Sequence, residues 1–222
     1  MPWADANCVV VPGDGMTDSM LTALLPLSGV LGTGHHAAVG GRVRPGSTVV
    51  VVGDGAVGLC AVAASRRLGA SRIILASTRE ARAAIGQSFG ATDIVTARGP
   101  LAAERIRWLT DDLGADSVLE CAGTDAAFAL ALAAVRHGGD IGLAGHPPAL
   151  ADPQLRHTLD HGIGVKGGAA PIGSTLRRLL PDVLSGMLDV SAIFDLTVSL
   201  HDVAVGYRAM HERTAIKALI RT

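Results

Sequence analysis

The chain has 222 residues, 49% of them hydrophobic, and a formal net charge of −1 at pH 7. A net charge this close to zero indicates no basic surface for binding nucleic acid, and an aromatic content of 3% is too low for a base-stacking surface. No uncharged apolar stretch is long enough to span a bilayer and the three cysteines are sparse, so we expect a cytoplasmic protein whose partners include neither nucleic acid nor a membrane.

The first stretch, residues 1–43, is predicted to contain two helical pieces. Thr17 or Asp18 can cap a helix that covers Met20–Leu25, because a side-chain oxygen there accepts a free amide hydrogen. Gly32–Val39 predicts a second helical piece, and a Pro-Gly turn separates it from the first strand.

The most informative segment follows. Thr48–Val52 carries four consecutive valines, as expected for a parallel strand that is buried on both faces. A Gly-x-Gly-x-x-Gly turn comes next: Gly53 permits the tight turn, Gly55 lets a pyrophosphate approach the backbone, and Gly58 lets the following helix pack closely on the strand. The helix predicted at Ala56–Leu68 then offers free N–H groups to phosphates, so the segment predicts dinucleotide binding.

Strand and helix signals alternate from there to about residue 185. This alternation predicts an α/β fold with a doubly wound parallel sheet over residues 44–185. Further strands are predicted at Arg72–Ala76, Asp93–Val95, Ser117–Glu120, Asp140–Leu143 and Gly162–Lys166, with helices at Arg79–Phe89, Leu101–Leu113, Asp125–Val135 and Ser174–Leu184 and a loop before the last strand.

The pattern changes in residues 186–222. Ala192–Leu200 reads as extended, Asp202–His211 as helical, and Ala215–Ile220 as a strand. Because this tail does not continue the alternation, we expect it to return to residues 1–43 and pack beside them. Tail strands with unpaired edges invite pairing with another chain, which predicts a homodimer or a larger homo-oligomer.

Several segments together resemble the zinc-dependent alcohol dehydrogenases of the medium-chain dehydrogenase/reductase superfamily. They are Gly32–Val39, Arg44–Thr48, Gly53–Gly58, Gly90–Val95, Gly114–Gly123 and Ala215–Ile220. The resemblance implies a Rossmann domain at 44–185 that binds NAD(P), flanked at 1–43 and 186–222 by short remnants of a catalytic domain. Most of that family's N-terminal GroES-like catalytic domain is then expected to be missing.

The resemblance also bears on zinc. The family commonly has a Cys or Asp ligand four residues before the position that Thr33 matches, and that position is Gly29 here. Glycine has no side chain to bind a metal, whereas a catalytic zinc needs about three protein ligands. We therefore expect no metal site and no zinc.

Cofactor choice is determined at the end of the second strand. An acidic residue there would bind the ribose hydroxyls of NAD, but this chain has Ser77, Thr78 and Arg79. Two hydroxyls and a guanidinium suit a 2′-phosphate, which favours NADP(H) over NAD(H). The alternative is that Arg79 is a solvated residue in the first turn of a helix.

Other residues complete the predicted cofactor site. Ala122 and Gly145 follow later strands, at the sheet edge where open α/β sheets bind ligands. The resemblance implies that Thr33 and Val57 contact the nicotinamide and that Lys217 contacts the pyrophosphate, although Lys217 could also be solvated. The full predicted set is Thr33, Gly53, Gly55, Ala56, Val57, Gly58, Ser77, Thr78, Arg79, Ala122, Gly145 and Lys217.

His35 and His36 are the candidate catalytic residues. Beside a nicotinamide they could donate a proton to a carbonyl or bind a metal. Adjacent residues on a helix point in different directions, however, so the alternative is a packing or capping role.

These observations predict an NADP(H)-binding oxidoreductase-like protein with a small-molecule substrate. Without zinc, a suitable reaction is the reduction of an activated carbonyl or an enone. Two alternatives stay open: a non-redox enzyme, such as a cyclase or isomerase, that reuses the emptied cleft, or a non-catalytic NADP(H)-binding partner subunit.

Overall fold

Strands and helices alternate along most of the chain in the computed structural model, which describes residues 8–13, 15–145 and 152–221. The strands are β1 (Thr48–Val52), β2 (Arg72–Ala76), β3 (Asp93–Val95), β4 (Ala115–Glu120), β5 (Val135–Leu143), β6 (Gly164–Lys166), β7 (Phe194–Ser199) and β8 (Lys217–Arg221). The helices are α1 (Asp18–Leu24), α2 (Val30–Gly40), α3 (Ala56–Arg67), α4 (Glu80–Phe89), α5 (Gly99–Leu109), α6 (Asp125–Ala134), α7 (Asp152–Asp160), α8 (Ile172–Leu184) and α9 (Val203–His211).

The first six strands form one parallel sheet in the order β3-β2-β1-β4-β5-β6. The predicted doubly wound parallel sheet is therefore confirmed. The valines of β1 alternate between two hydrophobic clusters, Val49 and Val51 in one and Val50 and Val52 in the other. Both faces of β1 are thus covered by helices, which explains why its sequence is apolar throughout.

The register of the sheet determines where a ligand can sit. Val52 at the end of β1 lies opposite Ala76 on β2 and Glu120 on β4. The loops that follow these three strands therefore begin side by side at one edge of the sheet. That edge is the carboxyl end, where the strand order reverses and where open α/β sheets bind ligands.

Helix α2 reaches this edge by packing against α3. A Cβ added at Gly34 would lie 2.6 Å from the backbone nitrogen of Ala61 and 2.9 Å from the carbonyl oxygen of Val57. The two helices therefore touch backbone to backbone, and a larger residue at Gly34 would separate them. This close contact holds the first half of α2 beside the first turns of α3.

The structure departs from the predicted elements by more than two residues at three places. The stretch predicted as a loop before β6 contains α7. Strand β5 begins at Val135 rather than Asp140, because the main chain of Gly138 adopts a φ of +68° and accommodates a shift in the pairing with β4. Helix α5 ends at Leu109, since Asp111 and Asp112 both have positive φ and cannot continue a right-handed helix.

The tail forms its own small sheet. Strands β7 and β8 pair in parallel, with α9 as the connection between them. The Arg221 guanidinium at the end of β8 pairs with the Asp18 carboxylate at the start of α1. The division into units at 1–43, 44–185 and 186–222 stays a prediction.

In the described part of the chain, no helix has the length and apolar character needed to cross a membrane.

Candidate nucleotide-binding site

Glycines at positions 53, 55 and 58 determine the shape of the loop after β1. Gly53 has a φ of +116°, and a Cβ there would lie 3.2 Å from the backbone nitrogen of Ala122. A Cβ at Gly58 would overlap the carbonyl oxygen of Gly53. These two glycines therefore let the start of α3 lie directly against the end of β1.

The start of α3 is open. Gly55 is its N-cap and provides no side-chain cap, and a Cβ at Gly55 would meet nothing within 4 Å among the described residues. The first amide hydrogens of the helix, at Ala56 and Val57, have no partner within the helix because no preceding turn exists. Half-buried amides at the positive end of a helix dipole form a site suited to a phosphate group.

The residues after β2 lie beside this loop. Ser77 is buried, and its hydroxyl donates to the Asp54 carboxylate over 2.9 Å. Thr78 is exposed, and the guanidinium of Arg98, after β3, donates to its hydroxyl oxygen over 3.0 Å. Arg79 is partly exposed and lies 3.9 Å from the Asp54 carboxylate. We call the space at the carboxyl edge of the sheet, between the loops after β1, β2 and β4, the crevice. The end of the crevice beside β2 therefore combines hydroxyls with guanidinium groups.

A buried arginine that sequence reasoning missed links this loop to the tail. Arg82 lies 3.4 Å from the Asp54 carboxylate and donates to the carbonyl oxygens of Arg213 and Ala215, over 3.2 and 3.1 Å. Its charge compensates that of Asp54, and its bonds hold the turn before β8 next to the glycine loop. Lys217 begins β8 two residues later, near enough to α3 that its charge acts on Cys60.

Glu120, also missed, joins two loops at the other end of the crevice. Its side-chain Oε1 accepts from the amides of Ala122 and Gly123, both over 2.7 Å, and its main-chain oxygen accepts from Ala144 and Gly145. Burial raises the pKa of this carboxyl, while the two amide bonds act in the opposite direction. The sequence signal was an acidic residue that directly follows the apolar pair Val118 and Leu119 at the end of a strand.

Thr33 lies on α2, where this helix meets α3. The neighbouring Gly34 contacts the carbonyl of Val57, so the structure brings Thr33 and Val57 to the same junction. The Thr33 hydroxyl donates back to the carbonyl oxygen of Gly29 over 3.0 Å. Its proton is therefore engaged, although its oxygen can still accept a hydrogen bond.

The two candidate catalytic histidines differ in environment. His35 is buried, and neither ring nitrogen has a partner among the described residues. Burial first, and then the charges of Arg67 and Arg178, lower the pKa of His35 to about 4. Arg67 ends α3, whereas the glycine loop lies at the start of that helix. A neutral, enclosed ring favours the packing alternative for His35, while His36 is half-buried.

The described residues do not fit a zinc ion. Among them, no group of three or more His, Cys, Asp or Glu side chains is placed to hold a metal. Gly29, the position where a ligand would be expected, caps α2 and has no side chain to contribute.

Comparisons with known proteins agree with this geometry. A family profile described as zinc-binding dehydrogenase matches residues 56–185. The chain is 36% identical over 215 residues to a probable zinc-binding alcohol dehydrogenase of Mycobacterium tuberculosis, covering 96% of this chain and 54% of that protein. It is 32% identical over 196 residues to an NADP-dependent isopropanol dehydrogenase of Entamoeba histolytica, covering 86% of this chain and 52% of the relative. The chain thus spans about half the length of these two curated relatives.

Solved structures share the fold. The alcohol dehydrogenase TADH from Thermus sp. ATN1 superposes with a TM-score of 0.81 at 28% identity, covering 90% of this chain and 58% of that one. An alcohol dehydrogenase zinc-binding domain protein from Burkholderia ambifaria superposes with a TM-score of 0.82 at 25% identity, covering 93% of this chain and 57% of that one.

Proposed function

The chain belongs to the zinc-binding dehydrogenase family, and we propose that it binds NADP(H) and reduces a small molecule that carries an activated carbonyl or an enone. The observation that carries the proposal is the glycine loop after β1, which is open at the start of α3, where a Cβ at Gly55 would meet nothing within 4 Å among the described residues. When bound, the cofactor supplies a hydride to the substrate carbon.

In this proposal the protein's own groups hold the cofactor from end to end. The amides that open α3 bind the pyrophosphate, together with Lys217 from the tail. Thr33 and Val57 flank the nicotinamide on one side. The backbones of Ala122 and Gly145 line the other side, and Glu120 ties these two loops together.

The preference for NADP(H) rests on charge. Arg79 lies at the loop where the ribose would sit, and Ser77 stands where NAD-binding proteins have an acidic residue. The Asp54 carboxylate is close by, but the buried Arg82 compensates its charge. The relative from Entamoeba histolytica is named as NADP-dependent, which supports the same preference.

The substrate class follows from the groups available to stabilise negative charge on the substrate oxygen. The described residues provide no cluster suited to zinc, and the proton of the Thr33 hydroxyl is already engaged. An acceptor that is already electrophilic needs less stabilisation at its oxygen than a simple ketone does. We therefore favour conjugated or otherwise activated carbonyl compounds.

Calorimetric titration with NADPH and NADH tests the binding half of the proposal. We expect NADPH to bind at least about tenfold more tightly than NADH, because a guanidinium–phosphate contact is a charge-assisted bond. Arg79→Ala should reduce that preference. No change in heat or in nicotinamide fluorescence at millimolar cofactor would contradict the proposal. A screen of enones and quinones for NADPH oxidation then tests turnover.

A second candidate is an NADP(H)-binding subunit without turnover. The burial of His35, with both ring nitrogens unpartnered among the described residues, favours it, because one of the two predicted proton donors is then not available to a substrate. Tight NADPH binding with no oxidation by any acceptor would support this second candidate over the first.

We also propose that the protein is a homodimer. Strands β7 and β8 form a sheet of only two strands, and Ile220 on β8 is 41% exposed next to an apolar groove between α1 and α8. Strand edges and apolar surface of this kind favour pairing with a second copy. Light scattering at micromolar concentration should give the mass of a dimer, and a uniform monomer would contradict the proposal.

A further inference from the structure

We infer that Arg98 is a second anchor for the 2′-phosphate of the cofactor, and therefore a determinant of cofactor specificity. This inference rests on the proposed NADP(H) function and adds to it a residue outside the segment after β2. It comes from three features of the molecule: the topology of the sheet, the contact of Arg98 with Thr78, and the distribution of charge around Asp54.

The topology brings the loop after β3 to the ribose end of the crevice. Ala76 at the end of β2 lies opposite Val95 at the end of β3, and the amide of Ser77 donates to the carbonyl oxygen of Val95 over 3.0 Å. Arg98 follows three residues later, as the N-cap of α5. The loops after β2 and after β3 are thus joined where they begin.

The Arg98 side chain points toward the residues after β2. Its Nη2 donates to the Thr78 hydroxyl oxygen over 3.0 Å, in an exposed contact. A guanidinium has five N–H donors in a fixed fork, and this bond uses one of them. The others stay available to a ligand, and the planar fork matches the oxygen geometry of a phosphate.

The neighbouring arginines are more fully engaged. Arg79 shares the Asp54 carboxylate with Arg82, and Arg82 is also bonded to two main-chain carbonyls. The partner of Arg98 among the described residues is a neutral hydroxyl, so the positive charge of Arg98 is not compensated there. A phosphate that arrives between Thr78 and Arg98 therefore meets a cation without first displacing a carboxylate.

The arrangement also predicts that the loops after β2 and after β3 both bind the 2′-phosphate. Arg79 comes directly after Thr78 in the chain, whereas Arg98 reaches the same hydroxyl from the next strand. A 2′-phosphate bound at Thr78 would then be held from both loops. NAD(H) lacks this phosphate, so its binding should not depend on Arg98.

The test is calorimetric titration of NADPH and NADH into the wild type, Arg98→Gln and Arg98→Lys. Arg107→Gln is the matched control, because it removes the same charge from the exposed face of α5, away from Thr78. We expect Arg98→Gln to weaken NADPH binding about tenfold and NADH binding less than about twofold. Arg98→Lys should bind NADPH with an affinity between those of Arg98→Gln and the wild type, and Arg107→Gln should bind both cofactors like the wild type. The NADPH effect should shrink as salt is added, since the site is exposed.

Different failures have different meanings. If the wild type binds neither cofactor, both the proposed function and the role of Arg98 are overturned. If the wild type prefers NADPH and Arg98→Gln keeps that preference, only the role of Arg98 is wrong. An equal loss of NADPH and NADH in Arg98→Gln would also overturn it, because the effect would then not come from the 2′-phosphate.

Discussion

The two ends of the crevice differ in how much of the expected chemistry the described residues supply. At the ribose and pyrophosphate end, an uncapped helix start, two hydroxyls and several arginines face one open loop. At the end proposed for the nicotinamide, the Thr33 hydroxyl donates to the carbonyl oxygen of Gly29, and His35 is buried without a partner among the described residues. The Oε1 of Glu120 accepts from two main-chain amides, whereas its Oε2 is buried without a partner among the described residues.

In the proposed function, binding and turnover therefore depend on separate parts of the molecule. Binding would rely on main-chain geometry and on contacts between loops that the sheet brings together. Turnover would need a group that stabilises a developing negative charge, and at that end the Thr33 proton is engaged and the His35 ring is buried. Substitutions at the two ends should therefore have effects of different kinds.

The largest effect is expected from Gly58→Ala. The added Cβ would overlap the carbonyl oxygen of Gly53, which is backbone and cannot rotate away. We expect a loss of about 3 kcal/mol or more in the free energy of unfolding, because α3 must shift from β1. Urea denaturation measures this loss. A variant as stable as the wild type would show that α3 does not pack on the loop as described.

The next effect concerns the link between the loop and the tail. Arg82→Met keeps an unbranched side chain but removes the guanidinium, and so leaves two carbonyls and part of the Asp54 charge without a partner. We expect a loss of about 2–3 kcal/mol in stability. The control is Arg79→Gln, whose partly exposed side chain should change stability by less than about 1 kcal/mol while weakening NADPH. Equal stability losses in both variants would contradict the distinction between them.

A smaller, pH-dependent effect is expected at the nicotinamide end. The pKa of His35 is about 4 in the folded protein and near 6.5 when the chain is unfolded, so the unfolded state takes up the proton first as pH falls. Stability should therefore decrease from about pH 6.5 down to pH 4, by about 2 kcal/mol for this group. Urea denaturation of the wild type and His35→Leu across this range isolates the contribution. If the free energy of unfolding depends on pH in the same way in both proteins, this prediction is wrong.

Much of the fold could be predicted from local sequence. The valines of β1 and the glycine spacing after it are local signals, and both describe the structure closely. The partners of Asp54 could not be predicted, because Arg82 is 28 residues away in sequence, and the carbonyl of Ala215 is 133 residues from Arg82. Such contacts depend on which side chains the strand order and the packing of the tail bring together, and no local pattern identifies those pairs.

The same reasoning explains Arg98 and Glu120, which were missed in the candidate site as Arg82 was. Arg98 looks like an ordinary solvated arginine until the pairing of β2 with β3 brings it to Thr78. Glu120 looks like an exception in a buried strand until its bonds to the next loop are known. His35 shows the opposite case, since a polar residue near the expected site turned out to be enclosed.

The most direct test of the nucleotide site is calorimetric titration of Gly55→Ala with NADPH and NADH, with its stability measured in parallel. A Cβ at Gly55 meets open space among the described residues and its φ of −78° suits alanine, so the fold should lose no more than about 1 kcal/mol. The same Cβ stands where the pyrophosphate must approach α3, so we predict that both cofactors bind at least about tenfold more weakly than to the wild type. A folded Gly55→Ala protein that binds NADPH as tightly as the wild type would contradict the account.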